Sequence, residues 1–487
     1  MIYFNRDKLR DKVHACWIGK NIGGTMGVPY EGQKQANDIS GFVTPKGQAL
    51  PNDDLDLQLV WLRAAMDHGP HAINSKILGQ YWISFIGPTW NEYGISKANM
   101  RAGILPPLSG SFYNKEWKNS NGAWIRTEIW ACMNPGCPEN AIKLAFEDAS
   151  VDHGFGEGSY AAIFVAAMES AAFVINDVRK LIDIGLSKIP ENSRVAQSVR
   201  IAMAAYDEGV DWKTARQRVL DYSADLGWFQ APANVSFVII GLLYGEGDFK
   251  KSMIIAINCG DDTDCTGASI GSILGIMNGT GGIPKDWRDH IGDDIVTYSI
   301  ISGLTFFPEN CNQVTDCVMA LIPAATLPSM RNVCCDGLNI VIYDGEDDFS
   351  KLDIDSFYGK DFVNKTFNCK EHCLIAEDNF AKVLVEFDKE PCIESFGEID
   401  FSVTVKTSEN FSKQDHYELI WHLPDGWTIN GRCNLFANPF RSKNIEMATT
   451  NLKLSAPEIV SARNNILLEV RRIDYPMPIF IPIVIMG

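Results

Sequence analysis

The residues best suited to chemistry stand in two acidic clusters about two hundred residues apart: Asn52-Asp53-Asp54 and Gly260-Asp261-Asp262-Thr263-Asp264-Cys265. Each precedes a segment patterned as a buried helix. Carboxylates crowded in a half-apolar setting repel one another and lose hydration. A divalent cation relieves both penalties, and hard divalent cations take oxygen ligands. At a helix start, adjacent Asp53 and Asp54 lean toward one point. Asp262 and Asp264, two residues apart, suit a turn that wraps an ion. If the segments meet, four carboxylates suffice for one ion or two, which would generate a hydroxide or grip a diol. The plainer alternative for either cluster is an acidic helix N-terminus favoured by the helix dipole.

Other segments add weaker signals. Glu31 lies in Gly27-Val28-Pro29-Tyr30-Glu31-Gly32, a turn from which a carboxylate reaches a cleft as a base or gate, or simply meets solvent. Asn121-Gly122-Ala123 with Arg126 offers backbone N–H groups and a guanidinium suited to phosphate or hydroxyl groups. His153 precedes a small-residue helix and is either a ligand contact or a satisfied structural histidine. Residues 81–130 are dense in Trp, Tyr and Phe among Gly, Pro, Asn and Ser. A long irregular segment of that kind is functional or disordered, and its aromatic content argues against disorder. Stacking on a base or sugar and a satellite hydrophobic cluster both fit it. No Ser-His-Asp elbow, Walker loop or dinucleotide fingerprint is present.

These residues must be positioned by a chain of 487 residues, long enough for two domains. The first ~325 residues read as helices, with Leu9, Val13, Cys16 and Trp17 at helical spacing before a Gly-rich exit at 23–27. Asn52 occupies an N-cap position ahead of a Leu55, Leu59, Leu62, Met66 stripe. Beyond about residue 330 the period changes to two, with strands read at 339–343, 382–387, 399–405, 417–422, 466–470 and 478–486. Punctuated by turns, they suggest an antiparallel β-sandwich of Ig or jelly-roll type. The expected division is residues 1–328, all-α and catalytic, and residues 329–487, all-β. A net charge of −18 argues against nucleic acid as a partner. The apolar run 160–175, interrupted by Glu169, reads as a buried helix and not as a membrane span. The N-terminus carries no apolar signal stretch, and thirteen scattered Cys without a CxxC pair suit reduced thiols, so a cytoplasmic location is expected.

Taken in order, the segments resemble the ADP-ribosylglycohydrolase family over roughly residues 8–325. IGKNIGGTMGVPYEG is similar to its opening helix and acidic loop, with Glu31 at the acidic position. Asn52-Asp53-Asp54 matches the first metal motif, usually Ser/Thr-Asp-Asp. SNGAWIR at 120–126 resembles a Gly-Asn-Gly-x-x-Met-Arg segment, SVDHG at 150–154 the segment where a His precedes an Ala-rich helix, and NCGDDTDCTGASIGSILG at 258–275 the second metal motif.

The resemblance implies an all-α domain with Mg²⁺ or Mn²⁺, two ions in the family pattern, held by Asn52, Asp53, Asp54, Asp262, Asp264 and Cys265. It implies Glu31, Asp54 and Asp262 as catalytic groups, and Gly122, His153 and the neighbouring Arg126 as substrate contacts. The activity implied is a metal-dependent hydrolase acting on glycosidic bonds, with ADP-ribosylated protein as substrate. The aromatic segment and the β-rich unit lie outside the minimal family pattern and point to the alternative of a carbohydrate or nucleoside glycoside. Asn52 and Cys265 stand where Ser/Thr and Thr are usual. A thiol is a poor partner for Mg²⁺, which implies one ion weakened, moved or absent, and opens the further alternative of a catalytically inactive binding protein. Asp261, in place of a Gly, adds charge for retaining a cation.

Overall fold

The computed structural model describes residues 2–301, 303–305, 307–326, 340–359, 370–378, 381–407, 415–437, 447–473, 475 and 477–487. The division expected at 328/329 lies outside them.

The opening helix, Arg6–Gly27, is capped by Asn5, whose side chain accepts the Lys8 N–H at 2.9 Å. It crosses a second helix, Thr263–Asn278, along a seam of glycines. A Cβ on Gly19 would stand 2.0 Å from the Gly271 carbonyl oxygen, and one on Gly23 would stand 2.0 Å from that of Gly267. Backbone touches backbone, so no residue with a side chain fits. The glycines read from sequence as the helix exit therefore stay helical to Gly27, because the partner helix requires their smallness. Thr263 Oγ1 ties the crossing by donating to the Gly27 carbonyl at 2.8 Å.

The Asp53–His68 helix begins at Asn52, whose side-chain oxygen accepts the Asp54 N–H at 2.8 Å. Leu55, Leu59 and Leu62 are buried, as the stripe predicted, while Met66 is exposed. The Ala-rich helix Glu157–Ala172 runs buried through the body.

Residues 81–130 differ from the irregular segment expected. They include the end of a helix at Ser75–Phe85, a further helix at Asn91–Arg101 and several short turns of helix. Trp82, Tyr93, Trp124 and Trp130 are almost wholly buried, and only a few aromatics, Trp90 and Tyr113 among them, are exposed.

The described strands are β1 (Ile2–Asn5), β2 (Ile340–Tyr343), β3 (His372–Glu377), β4 (Ala381–Phe387), β5 (Glu398–Thr407), β6 (Asp415–His422), β7 (Thr428–Gly431), β8 (Asn434–Ala437), β9 (Met447–Ser455), β10 (Arg463–Arg472) and β11 (Ile479–Met486). Two antiparallel sheets, β3-β4-β5-β9-β7 and β11-β10-β6-β8, bury their apolar faces in one cluster that includes Val385, Val403, Leu419 and Leu468. The strand read at 339–343 does not join them. As β2 it pairs in parallel with β1, and Phe349, Leu352 and Phe357 after it pack on the helical core. β3, β7, β8 and β9 were not read from sequence. Ile104, Leu108 and Phe112 of the helical body lie in the sheets' cluster, joining the two units. Among the described residues no helix is long and apolar enough to cross a membrane.

Candidate active site

The glycine crossing carries the second acidic motif to the end of the opening helix. A Cβ on Gly27 would lie 2.4 Å from the Asp264 Cα, and one on Gly24 would lie 2.2 Å from Asn52 Nδ2. Both motifs thus meet beside one helix terminus. Oxygens of Asp54 and Asp264 and the Cys265 sulfur fall within 4.8 Å of one another, as do oxygens of Glu31, Asp262 and Asp264. Asp54 is fully buried and Asp262 and Asp264 nearly so, whereas Glu31 is exposed at the rim.

Asp53 Oδ2 accepts the Tyr93 hydroxyl at 3.1 Å and Oδ1 that of Tyr298 at 3.4 Å. Asp262 Oδ2 accepts Asn121 Nδ2 at 2.7 Å, and the Asp262 N–H donates to Asn234 Oδ1 at 3.2 Å. The Cys265 thiol donates to Asp54 Oδ1 at 3.4 Å. Asp54 Oδ2 and Asp264 Oδ1 are buried with no hydrogen bond.

The charge balance is unfavourable without a cation. Burial pushes Asp54 and Asp262 well above the usual carboxylate range, with Asp264 adding to both. Asp264 itself is pushed to about 6, chiefly by burial. Glu31 is pushed to about 8 by Asp264 first and burial second. The buried cation Lys20 lies near Asp54. Lys20 Nζ stands 3.8 Å from Asp54 Oδ2, but its hydrogen bonds go to the Ile125 carbonyl at 2.7 Å and Glu128 Oε1 at 2.8 Å. Oxygen donors with unpartnered atoms and mutually raised proton affinities fit a hard divalent ion. The thiol of Cys265 is the one donor that does not.

The motifs line a cleft of about 340 Å³ with Trp90, Glu92, Tyr93, Ser120, Asn121, Gly122, Phe229 and Tyr298. Glu31, Asp53, Asp262, Asp264, Cys265 and Gly122 face it, with Asn52 and Asp54 outside its lining.

Arg126 and His153 do not line it. Arg126 is fully buried and pairs with Asp148 at 3.0 Å and Asp152 at 2.7 Å. Its guanidinium also lies 5.1 Å from the Trp82 ring. A guanidinium so paired is held in the core and does not line the cleft, where the phosphate or hydroxyl contact was expected of it. His153 is buried with Nδ1 2.9 Å from Asp152 Oδ1 and Nε2 3.1 Å from Ser120 Oγ. Asp261, expected to retain a cation, turns away: its carboxylate accepts Asn234 Nδ2 at 3.0 Å and the Phe229 N–H at 3.2 Å. It holds the Phe229 wall in place.

Sequence reading missed Glu92, Tyr298 and Asp56, and had Tyr93 only as one ring of the aromatic segment. Asp56 accepts the Tyr298 and Ser299 N–H groups at 2.7 Å each and so presents Tyr298 to the cleft. The available signal was spacing, since Asp56 lies in the same first helical turn as Asp53 and Asp54.

A mainly helical body with two acidic motifs joined across a glycine seam defines a carboxylate-rich cleft. The sequence model of the ADP-ribosylglycohydrolase family matches residues 5–310, and the chain belongs to that family. A solved ADP-ribosylglycohydrolase-related protein complex is 18% identical, aligning over 66% of this chain and 99% of its own with a TM-score of 0.45. A FixG-related protein from Vibrio parahaemolyticus is 14% identical, over 23% of this chain and 98% of its own, with a TM-score of 0.19. No curated protein matches the chain.

Proposed function

We propose that the protein is a metal-dependent glycohydrolase that cleaves a glycosidic bond at ribose or a related sugar, as an ADP-ribosyl-protein hydrolase does. The observation that carries this reading is the meeting of Asp53, Asp262 and Asp264 in one cleft beside Asp54, with buried oxygens of Asp54 and Asp264 that make no hydrogen bond. Asp53, Asp54, Asp262 and Asp264 would hold Mg²⁺ or Mn²⁺, with Glu31 at the rim. The ion supplies Lewis-acid polarisation and orients sugar hydroxyls or water when bound. The chain's own part is to fix the carboxylates through Asn121, Tyr93 and Tyr298 and to wall the cleft with rings.

Incubation with Mg²⁺ or Mn²⁺ is expected to release free ADP-ribose from ADP-ribosylated protein, and Asp54→Ala or Asp262→Ala to abolish release. Metal-loaded protein that neither binds ADP-ribose nor cleaves any glycoside would sink the reading.

A second reading, a neutral glycoside or nucleoside as substrate, is favoured by the wall itself. Among the described residues that line the cleft there is no Lys or Arg. A diphosphate meets no fixed positive charge there. The Trp90 and Tyr298 rings, stacked 6.4 Å apart and both exposed, offer a platform for a sugar or base face. Hydrolysis of nucleosides or aryl ribosides with ADP-ribosylated protein left intact would select it.

A further inference from the structure

The acidic residues form two triads of ligand atoms, and the triads share Asp264. The outer triad, Glu31, Asp262 and Asp264, is all oxygen, and its three residues line the cleft. Asp264 is 4% exposed, and its Oδ1 makes no hydrogen bond. Buried polar groups in folded chains find partners, and an exception at a cleft wall calls for a partner that arrives from outside. The inner triad, Asp54, Asp264 and Cys265, differs in kind. One of its donors is a sulfur, which suits a hard cation poorly. That thiol already donates to Asp54 Oδ1 at 3.4 Å.

Beside the inner triad stands a cation that belongs to the chain. Lys20 lies on the opening helix, next to Gly19 of the glycine seam. It is 1% exposed, and its ammonium is 3.8 Å from Asp54 Oδ2, the oxygen of that carboxylate that makes no hydrogen bond. Its donors are held in place by the Ile125 carbonyl at 2.7 Å and Glu128 Oε1 at 2.8 Å. Glu128 is fixed in turn. Gln58 Nε2 donates to its Oε2 at 2.8 Å, and Ser272 Oγ donates to its Oε1 at 3.0 Å. Gln58 belongs to the Asp53–His68 helix and Ser272 to Thr263–Asn278, so both motif-bearing helices clamp the carboxylate that clamps Lys20. A divalent ion bound to Asp54 would therefore meet an ammonium that cannot withdraw, and like charges in a buried setting repel strongly. The outer triad has no such neighbour, since no Lys or Arg lines the cleft among the described residues.

We propose that the site takes a single divalent ion, at the outer triad, and that Lys20 and Cys265 together close the inner triad to a second. This rests on the metal-dependent reading above and narrows it: Glu31, Asp262 and Asp264 serve the ion, and Asp54 faces Lys20. The lysine is then a resident cation, supplied by the chain itself, on the inner side of the carboxylate cluster.

The test uses the full chain, stripped with chelator and reloaded with Mn²⁺. It reads metal content after equilibrium dialysis together with the electron paramagnetic resonance spectrum. Wild type is expected to retain a single Mn²⁺ per chain, with the resolved hyperfine lines of an isolated ion. Two ions bridged by Asp264 would be spin-coupled and would lose those lines. Asp262→Asn is expected to weaken binding by about a hundredfold. Cys265→Thr is expected to stay at a single ion, because Lys20 remains. Lys20→Met combined with Cys265→Thr is expected to take a second ion and to show the coupled spectrum. Where that double variant does not fold, wild type and Cys265→Thr decide. A wild type or a Cys265→Thr variant that binds two Mn²⁺, or a folded double variant that binds only one, overturns the proposal and leaves the parent reading standing. A wild type that binds no Mn²⁺ removes the parent reading, and this inference with it.

Discussion

At the scale of single residues, the site is defined by charge that the protein does not itself neutralise. Asp54, Asp262 and Asp264 are buried together, and the nearby Lys20 spends its hydrogen bonds on Ile125 and Glu128. The consequence is a pH dependence with a definite sign. Glu31, pushed to about 8, Asp56, pushed to about 7 by burial, and Asp264, pushed to about 6, all hold protons in the folded state that the unfolded chain releases above roughly pH 4. Their stabilising contribution is complete at the acid end and is lost as pH rises through these values. In chelator, the melting temperature is expected to fall between pH 5 and pH 8, and Mg²⁺ or Mn²⁺ to raise it more at pH 8 than at pH 5. A melting temperature that climbs across that window without metal would contradict the account. Asp53, Asp262 and Asp264 were legible as candidates because carboxylates clustered at helix starts are a local pattern, and Glu31 because its Gly/Pro-flanked turn follows a helix. Glu92 was not, since a lone Glu in an aromatic segment carries no pattern, and its place on the cleft wall depends on Gly122 beside it.

At the scale of elements, the decisive contact is the crossing of Arg6–Gly27 with Thr263–Asn278. A Cβ on Gly271 would sit 1.9 Å from the Gly19 carbonyl oxygen, with no flexible side chain able to yield. Gly271→Ala must therefore push the helices apart. Overpacking of that kind costs about 1–3 kcal/mol, and here it also separates Asp53-Asp54 from Asp262 and Asp264. The expected result is a lower denaturation midpoint together with weaker Mn²⁺ binding by calorimetric titration. Unchanged metal affinity in a destabilised Gly271→Ala would show that the crossing does not set the site. Sequence reading found both helices and their small residues but ended the first too early. Glycine is a helix breaker by local propensity, and only the neighbouring backbone at van der Waals distance makes it necessary within a helix.

At the scale of the whole molecule, the sheets are built onto the helical body. Ile104, Leu108 and Phe112 enter the apolar cluster of the sheets, Lys118 pairs with Glu371, and the Tyr113 N–H donates to Glu390 at 3.2 Å. The same stretch that supplies Glu92 and Ser120 to the cleft thus supplies the anchor for the second unit. Phe112→Ala removes a buried ring and is expected to destabilise the full chain by about 3–5 kcal/mol, read from its denaturation midpoint. A shift below about 1 kcal/mol would mean that the anchor lies elsewhere. Strand 340–343 shows the limit of periodicity at this scale. Its alternation read as one more strand of the C-terminal sheets, yet it pairs with Ile2–Asn5, its partner by chain route and not by pattern.

By itself the sequence determined what depends on neighbours along the chain: a helical body followed by strands, carboxylates at two helix starts, and the family to which those motifs belong. Tertiary structure alone decided what depends on neighbours across it. Arg126 carries the same guanidinium wherever it lies, but Asp148 and Asp152 withdraw it from the cleft. Asp261 carries the same charge as Asp262, but Phe229 and Asn234 turn it away. Glu92 becomes a cleft carboxyl because Gly122 leaves room for it. Side-chain identity is local, whereas burial, pairing and direction are set by whatever the fold packs against it.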